Sequence, residues 1–300
     1  MLHSLISLRF IAAIFIFIHH LSYPNGFGPI AVTFFFVLSG FIMGFKYCGK
    51  FNTITIPILK SFYFKRFIKI YPLQILTFLI SLPILLFIDF KTNVFYALCN
   101  LFLIHSYFPI GIQVFSFNSV AWFLSDIMFF YFISPFLFFV LYKLEIIKKS
   151  KIMVITLIFI ILIAWFISYQ YADQIPAYSF GWWLIYISPY FRFLDYFTGV
   201  ITGIIFLTVK SIISDKNSRI YLFSFMEILS VVMLVFSFKS QIYANNSLKM
   251  GVYYLPASVL LIFIFAFQEG IISRILSKAL FIKLGELSFT IFLIHQLAIS

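Results

Sequence analysis

Residues 152–171 read IMVITLIFIILIAWFISYQY, twenty positions without one charged side chain. As an α-helix rising ~1.5 Å per residue, such a stretch is about 30 Å long, the thickness of a bilayer's hydrocarbon core. Runs of similar length and character recur at 5–23, 30–48, 70–90, 121–142, 191–209, 220–238, 251–268 and 284–300. The whole chain follows the same rule: of 300 residues, 63% are apolar and 10% charged, against about a quarter charged in soluble domains. Its mean hydropathy is +1.10. A soluble protein of this length needs charge to cover its surface, whereas a lipid-facing surface needs none. The sequence therefore predicts an all-α, polytopic transmembrane helix bundle. No internal repeat, low-complexity linker or soluble module interrupts it, so one domain over 1–300 is expected.

The net charge of +12 does not point to nucleic acid, because the basic residues are grouped between the apolar runs. Lys46, Lys50, Lys60, Lys65, Arg66 and Lys69 share one gap, and Lys143, Lys148, Lys149 and Lys151 another. Lys210, Lys216 and Arg219 fall in a third, Arg274, Lys278 and Lys283 in a fourth. These four gaps read as cytoplasmic loops facing anionic headgroups. The segment 94–112 is apolar but carries Asn100, His105, Pro109 and Gly111. If it crossed, three of the four basic gaps would lie outside. As a re-entrant or surface helix on the outer side, it leaves all four inside together with the N-terminus. Nine crossings follow, with 172–190 as an outer interfacial stretch rich in aromatics. The first apolar run holds Arg9 and no small-residue cleavage site, and reads as a retained helix. Cys48 and Cys99 provide neither a disulfide framework nor metal spacing, and no metal is expected.

Ionisable groups inside spans cost on the order of 3 kcal/mol each, so those present need a reason. Arg9 and His20 are eleven residues apart, on nearly one helical face and separated by about 16 Å along the axis. Snorkelling accounts for Arg9 alone, and an interfacial position for His19 and His20. The expected topology adds Asp126, the pair Arg192 and Asp195, and His295, all in the same outer half as His20. That is the shape of a buried site with a titratable base. Interhelical hydrogen bonds used as glue are the alternative. On the inner side Lys65, Arg66 and Lys69 precede Tyr71-Pro72, either as a topology signal or as a cradle for the phosphates of a cytoplasmic nucleotide compound.

At these residues the chain resembles the acyltransferase-3 family, bacterial inner-membrane O-acyltransferases that modify cell-surface sugars. SLRFIAAIFIFIHH at 7–20 is similar to the family's opening helix, with its Arg-x10-His spacing met by Arg9 and His20; His19 has no such match. VTFFFVLSGFIMGF at 32–45, FYFKRFIKIYPLQIL at 62–76, AWFLSDIMFFYFISP at 121–135, PYFRFLDYFTGVITG at 189–203 and LGELSFTIFLIHQ at 284–296 resemble five further family segments, in order. Three positions depart from the pattern: Ile127 stands where glutamate is frequent, Phe123 where serine follows Trp122, and Lys69 where arginine is usual. Family members continue through a further helix after the position of His295. The resemblance therefore implies ten crossings in the family, and a chain here that lacks the final one or belongs to a shorter variant.

What the resemblance implies is transfer of an acyl group, most often acetyl from acetyl-CoA, onto a sugar hydroxyl of O-antigen, capsule, exopolysaccharide or a lipid-linked precursor. His20 is then expected as the base, with Arg9 and Asp126 beside it in catalysis. Arg192, Asp195 and His295 are expected to bind the acceptor, and Lys65, Arg66 and Lys69 the CoA phosphates. Acetyl-CoA enters as a substrate, and no permanently bound cofactor is expected. Neither cysteine lies in a matched motif, which disfavours a cysteine relay. The rival from another class is a transporter or flippase for lipid-linked glycans, which would show paired Gly/Pro-broken helices in matched halves.

Overall fold

The structure is a computed structural model that describes residues 2–21, 26–83, 90–170, 176–213 and 219–299. Among them run thirteen α-helices: α1 (His3–Leu21), α2 (Phe27–Tyr47), α3 (Ile56–Ser81), α4 (Phe90–Leu101), α5 (Trp122–Lys143), α6 (Ser150–Gln170), α7 (Phe180–Trp182), α8 (Pro189–Ile213), α9 (Ile220–Ser240), α10 (Asn246–Lys249), α11 (Leu255–Phe265), α12 (Ile271–Leu276) and α13 (Ala279–Ile299). No strand occurs among the described residues. Local chemistry marks the helix starts. Pro57 and Pro256 occupy the first turns of α3 and α11, where a missing N–H costs nothing. The side chains of Ser179 and Asn245 cap α7 and α10.

Among the described residues, seven segments are long and apolar enough to cross a membrane: α1, α2, α5 with its preceding turn, α6, Phe180–Ile213 containing α8, α9 with its following turn, and α13. The other two expected spans take different forms. The helix expected at 70–90 begins at Ile56, so its first half carries Lys60, Lys65, Arg66 and Lys69, and residues 84–89 lie outside the described residues. The span expected at 251–268 is an apolar stretch, Val252–Phe265, made of one 3-10 turn and α11.

Helix direction shows that both nevertheless traverse the layer. Glycines bring α2 and α8 into contact, with Gly199 against the Val37 carbonyl and Gly203 against that of Phe41. The pairing advances in the same sense on both helices, so they run parallel. Parallel helices are separated by an odd number of crossings, and α5 and α6 supply only two. The third is α3. It runs antiparallel to α5, with Tyr63 donating to the Phe132 carbonyl (2.9 Å) and Phe78 packing on Phe117 (5.2 Å). By the same test α1 and α13 are parallel, Gly285 lying against Ile6 and His295 against His20. Six crossings (α2, α3, α5, α6, α8 and α9) lie between, an even number, so α11 must also cross, and the count among the described residues is nine.

The segment 94–112 forms no crossing helix. After α4 the chain turns at Leu103 (φ 55°) into 3-10 turns at His105–Tyr107 and Gly111–Phe115. Buried polar contacts tie it down, Gln74 Nε2 donating to Asn100 Oδ1 (3.0 Å) and Asn100 Nδ2 to the Ser116 carbonyl (3.1 Å). Irregular backbone at this depth survives only where protein satisfies it.

Candidate active site

Among the described residues, the side chains singled out by the sequence fall into three groupings inside the bundle. The first is a cavity of ≈ 90 Å³ enclosed by α1, α2, α3, α5 and α13. Arg9, Arg66 and Lys69 reach its wall and no acidic residue does. Arg66 is the most constrained of the three. Its Nη2 donates to the Tyr47 hydroxyl (2.7 Å), and its guanidinium lies 5.0 Å from the centre of the Tyr131 ring and 5.4 Å from that of Phe62. Aromatic faces hold a guanidinium by their quadrupole without neutralising it. Lys69 experiences Arg9, Arg66 and Lys46 as like charges. Three gathered cations without a carboxylate suit a polyanion such as a set of phosphates. Lys65, placed with them by sequence, is exposed on α3 and does not line the cavity.

The second grouping lies at the other end of α1. His20 and His295 face each other with ring centroids 5.1 Å apart, and His19 sits 5.6 Å from His20. In α13, His295 Nδ1 lies 2.8 Å from the Phe292 carbonyl and 3.2 Å from that of Ile291. Carbonyl oxygens only accept, so Nδ1 carries the proton and Nε2 presents a lone pair. His20 is exposed at the rim of the bundle while His295 is buried. The pair thus offers one enclosed acceptor and one reachable imidazole.

The third grouping holds the expected acids. Arg192 and Asp195, one turn apart on α8, form an ion pair (2.9 Å) with both side chains enclosed. Arg192 Nη2 also lies 3.4 Å from Thr33 Oγ1, and its guanidinium stacks 5.1 Å from the Phe36 ring centre. Gly251 leaves room for the guanidinium, which a Cβ there would overlap. Asp126 on α5 lies within electrostatic reach of this pair and beside Ser106. The Ser106 hydroxyl is turned to Ser125 Oγ (2.7 Å), and neither Asp126 oxygen accepts a hydrogen bond among the described residues.

The five outer residues thus share one end of the bundle, as expected, but do not form one cluster. A file of aromatic rings divides them. Phe292 lies 6.2 Å from His295, Phe123 lies 5.2 Å from Phe292, and Phe36 stacks on Phe123 at 4.6 Å. Arg192 is on the far side of Phe36. The same Phe123 and Phe292, with Phe35, form the outer wall of the cationic cavity. His20 and Arg9 therefore communicate along α1 and α13, while Asp126, Arg192 and Asp195 stand behind the rings. The arrangement gives a polyanion site and a base at opposite ends of one path, closed midway by phenylalanines. Tyr47, Tyr131 and this aromatic wall did not emerge as site residues from the sequence. Tyr131 sits within the quoted 121–135 segment, five residues after Asp126, but one helix's spacing could not tell that it faces Arg66 on another.

The Acyltransferase MdmB of Streptomyces mycarofaciens is 32% identical over 154 residues, covering 45% of this chain and 38% of that protein. The matched region spans well under half the length of that relative. No solved structure matches. The family model described as an acyltransferase domain matches residues 2–300, and the chain, a multi-pass membrane protein, belongs to the acyltransferase-3 family.

Proposed function

We propose that this acyltransferase moves an acyl group, acetyl in the first instance, from acyl-CoA to a sugar hydroxyl of a cell-surface glycan or its lipid-linked precursor. The observation that carries the reading is the pair of sites on the α1–α13 seam: a carboxylate-free cavity holding Arg9, Arg66 and Lys69, and beyond the aromatic wall the His20–His295 pair. The cationic cavity suits the phosphates of CoA approaching from the cytoplasm, with the thioester carried toward the histidines. Membership of the family favours this over the transporter reading.

An alcohol is a weak nucleophile at neutral pH, so a base takes its proton as it attacks. In the proposed step the sugar oxygen bonds to the thioester carbonyl carbon and the C–S bond breaks. The hydroxyl proton passes to the His20 imidazole and from there to the departing thiolate. His295, its Nδ1 committed to backbone, orients His20 through its Nε2 lone pair. Arg9, in the cationic cavity with Arg66 and Lys69, holds the donor by its phosphates. Arg192 and Asp195 hold the acceptor side of the site, and Asp126, separated from His20 by the rings, serves there rather than as a partner of the base. The enzyme acts in the bacterial inner membrane with its N-terminus in the cytoplasm.

Membranes incubated with labelled acetyl-CoA test this directly: label should appear in glycan. Replacing His20 by Ala should lower transfer by about 10²–10⁴-fold and Arg9→Ala should abolish it, each leaving the protein inserted. Retained transfer in the His20 variant would remove imidazole from the mechanism, and no transfer in the parent would remove the reaction itself.

A further inference from the structure

A second cavity lies on a flanking face of α1. It measures ≈ 260 Å³, and almost nothing polar lines it. Leu8, Ala12 and Phe15 of α1 form one wall, Leu234 and Val235 of α9 the other, and α2 forms the floor around Ala31. Leu8, Ala12 and Phe15 follow a helical stripe whose next position is His19. The His19 ring lies against Gly28 at the start of α2, and its neighbour is His20. Phe15, Phe27 and Phe238 line the groove at that end, with centroid separations of 5.0 and 4.6 Å. Val235 is 51% exposed on the outside of the bundle, so the groove opens sideways to lipid. α1 thus carries two functional faces. One runs from Arg9 to His20, and the other is a dry groove ending at His19.

Resting on the proposed reaction, we infer that this groove seats the hydrocarbon tail of a lipid-anchored acceptor and so places its sugar at His20. An apolar cavity of about 150 Å³ already takes a benzene-sized ligand, so this one holds a single chain over on the order of ten carbons. A dry groove inside a membrane protein competes only for hydrocarbon, because no polar group in it could recognise a head. The head is therefore selected where the groove ends, at the adjacent histidines. Small side chains at Ala12 and Ala31 keep the channel open, since a larger residue at either would occupy the space of the chain.

The test uses the full chain in membranes and a monosaccharide joined through phosphate to one isoprenoid chain bearing a diazirine. Irradiation should attach the probe to peptides containing Phe15 or Val235. Ala12→Phe, and separately Val235→Trp at the exposed rim where folding tolerates bulk, should each cut attachment at least fivefold. Both should raise KM for the tailed acceptor about tenfold and leave transfer to the same sugar without a tail unchanged. Equal attachment in the parent and both variants, or equal attachment by a diacyl phospholipid probe that the tailed sugar does not displace, would overturn the assignment. Attachment needs no acyl transfer. Labelling of the groove in membranes that transfer no acetyl group therefore leaves the groove standing and removes the reaction.

Discussion

Arg192 and Asp195 are enclosed completely at the heart of the bundle, and what makes that tolerable is Gly251, which leaves the guanidinium its space. Removing one member of a buried pair leaves the other charge without a partner, at a cost of about 3–5 kcal/mol. Arg192→Ala should therefore lower the midpoint of thermal unfolding in detergent sharply, and Arg192→Met with Asp195→Leu should recover most of the loss. Gly251→Ala should act in the same direction as Arg192→Ala, because its Cβ takes the position of Nη1. A midpoint unchanged in Arg192→Ala would show the pair to be solvated rather than enclosed. His295 invites a different experiment. His295→Phe keeps a ring beside Phe17 and Phe292 but loses the Nε2 lone pair. Unfolding should stay near the parent while acyl transfer falls by about 10²-fold, the usual cost of a misplaced catalytic group. Sequence made the members of these groupings visible because charge in an apolar run is conspicuous and topology assigns its depth. It left their partners open, because depth along a helix says nothing of azimuth around the bundle. Asp126 and His20 share an end of the molecule yet stand on opposite sides of Phe36 and Phe123.

At the scale of elements, the closest helix pair owes its geometry to absent side chains. Gly40 and Gly44 on α2, and Gly199 and Gly203 on α8, are each four residues apart, and a Cβ at any of them would meet backbone of the facing helix. In lipid, where apolar burial drives nothing between helices, such close approach is the main source of association. Gly40→Leu and Gly199→Leu should each lower stability in detergent by at least ~1–3 kcal/mol, the ordinary cost of overpacking, since backbone cannot yield as a side chain can. A variant that unfolds with the parent would deny the contact. Both glycine pairs were present in the quoted segments, and their spacing is a readable signal of helix contact. What one sequence does not say is which two helices meet. A second element-scale device is Glu227, a buried carboxylate in α9 whose Oε2 accepts from Ile272 N (2.9 Å) and Ser273 N (3.3 Å), while Ser224 Oγ accepts from Ile271 N (3.0 Å). An acid inside a span is costly unless donors meet it, and here the first turn of α12 does. Glu227→Leu should cost about 1.5–3 kcal/mol, the worth of hydrogen bonds to a charged group, again read as an unfolding midpoint. Nothing in the local sequence joins residue 227 to residue 272, so this contact was not legible before the fold.

For the whole molecule, the decisive quantity is the parity of crossings between packed helices. Of the described helices only seven are by themselves long and apolar enough, because α3 starts in a basic stretch and α11 is short. Those seven alone would set α8 antiparallel to α2, and the glycine contacts between them require the opposite. Nine crossings reconcile the packing with the four basic gaps, all of which then lie on one side. The consequence is testable by labelling single cysteines in intact cells, after Cys48 and Cys99 are replaced by Ser. Cysteines at Lys60, Lys149 and Lys278 should resist an impermeant maleimide until the membrane is opened, because positive loops are retained in the cytoplasm. Cysteines at Gly111 and Asn245 should react at once. If α3 did not cross, Gly111 would label with Lys60, and α2 and α8 could not run parallel while both span. Labelling Lys60 and Gly111 from the same side would therefore undo the nine-crossing arrangement, and with it the placement of the cationic cavity and the histidine pair toward opposite faces of the membrane.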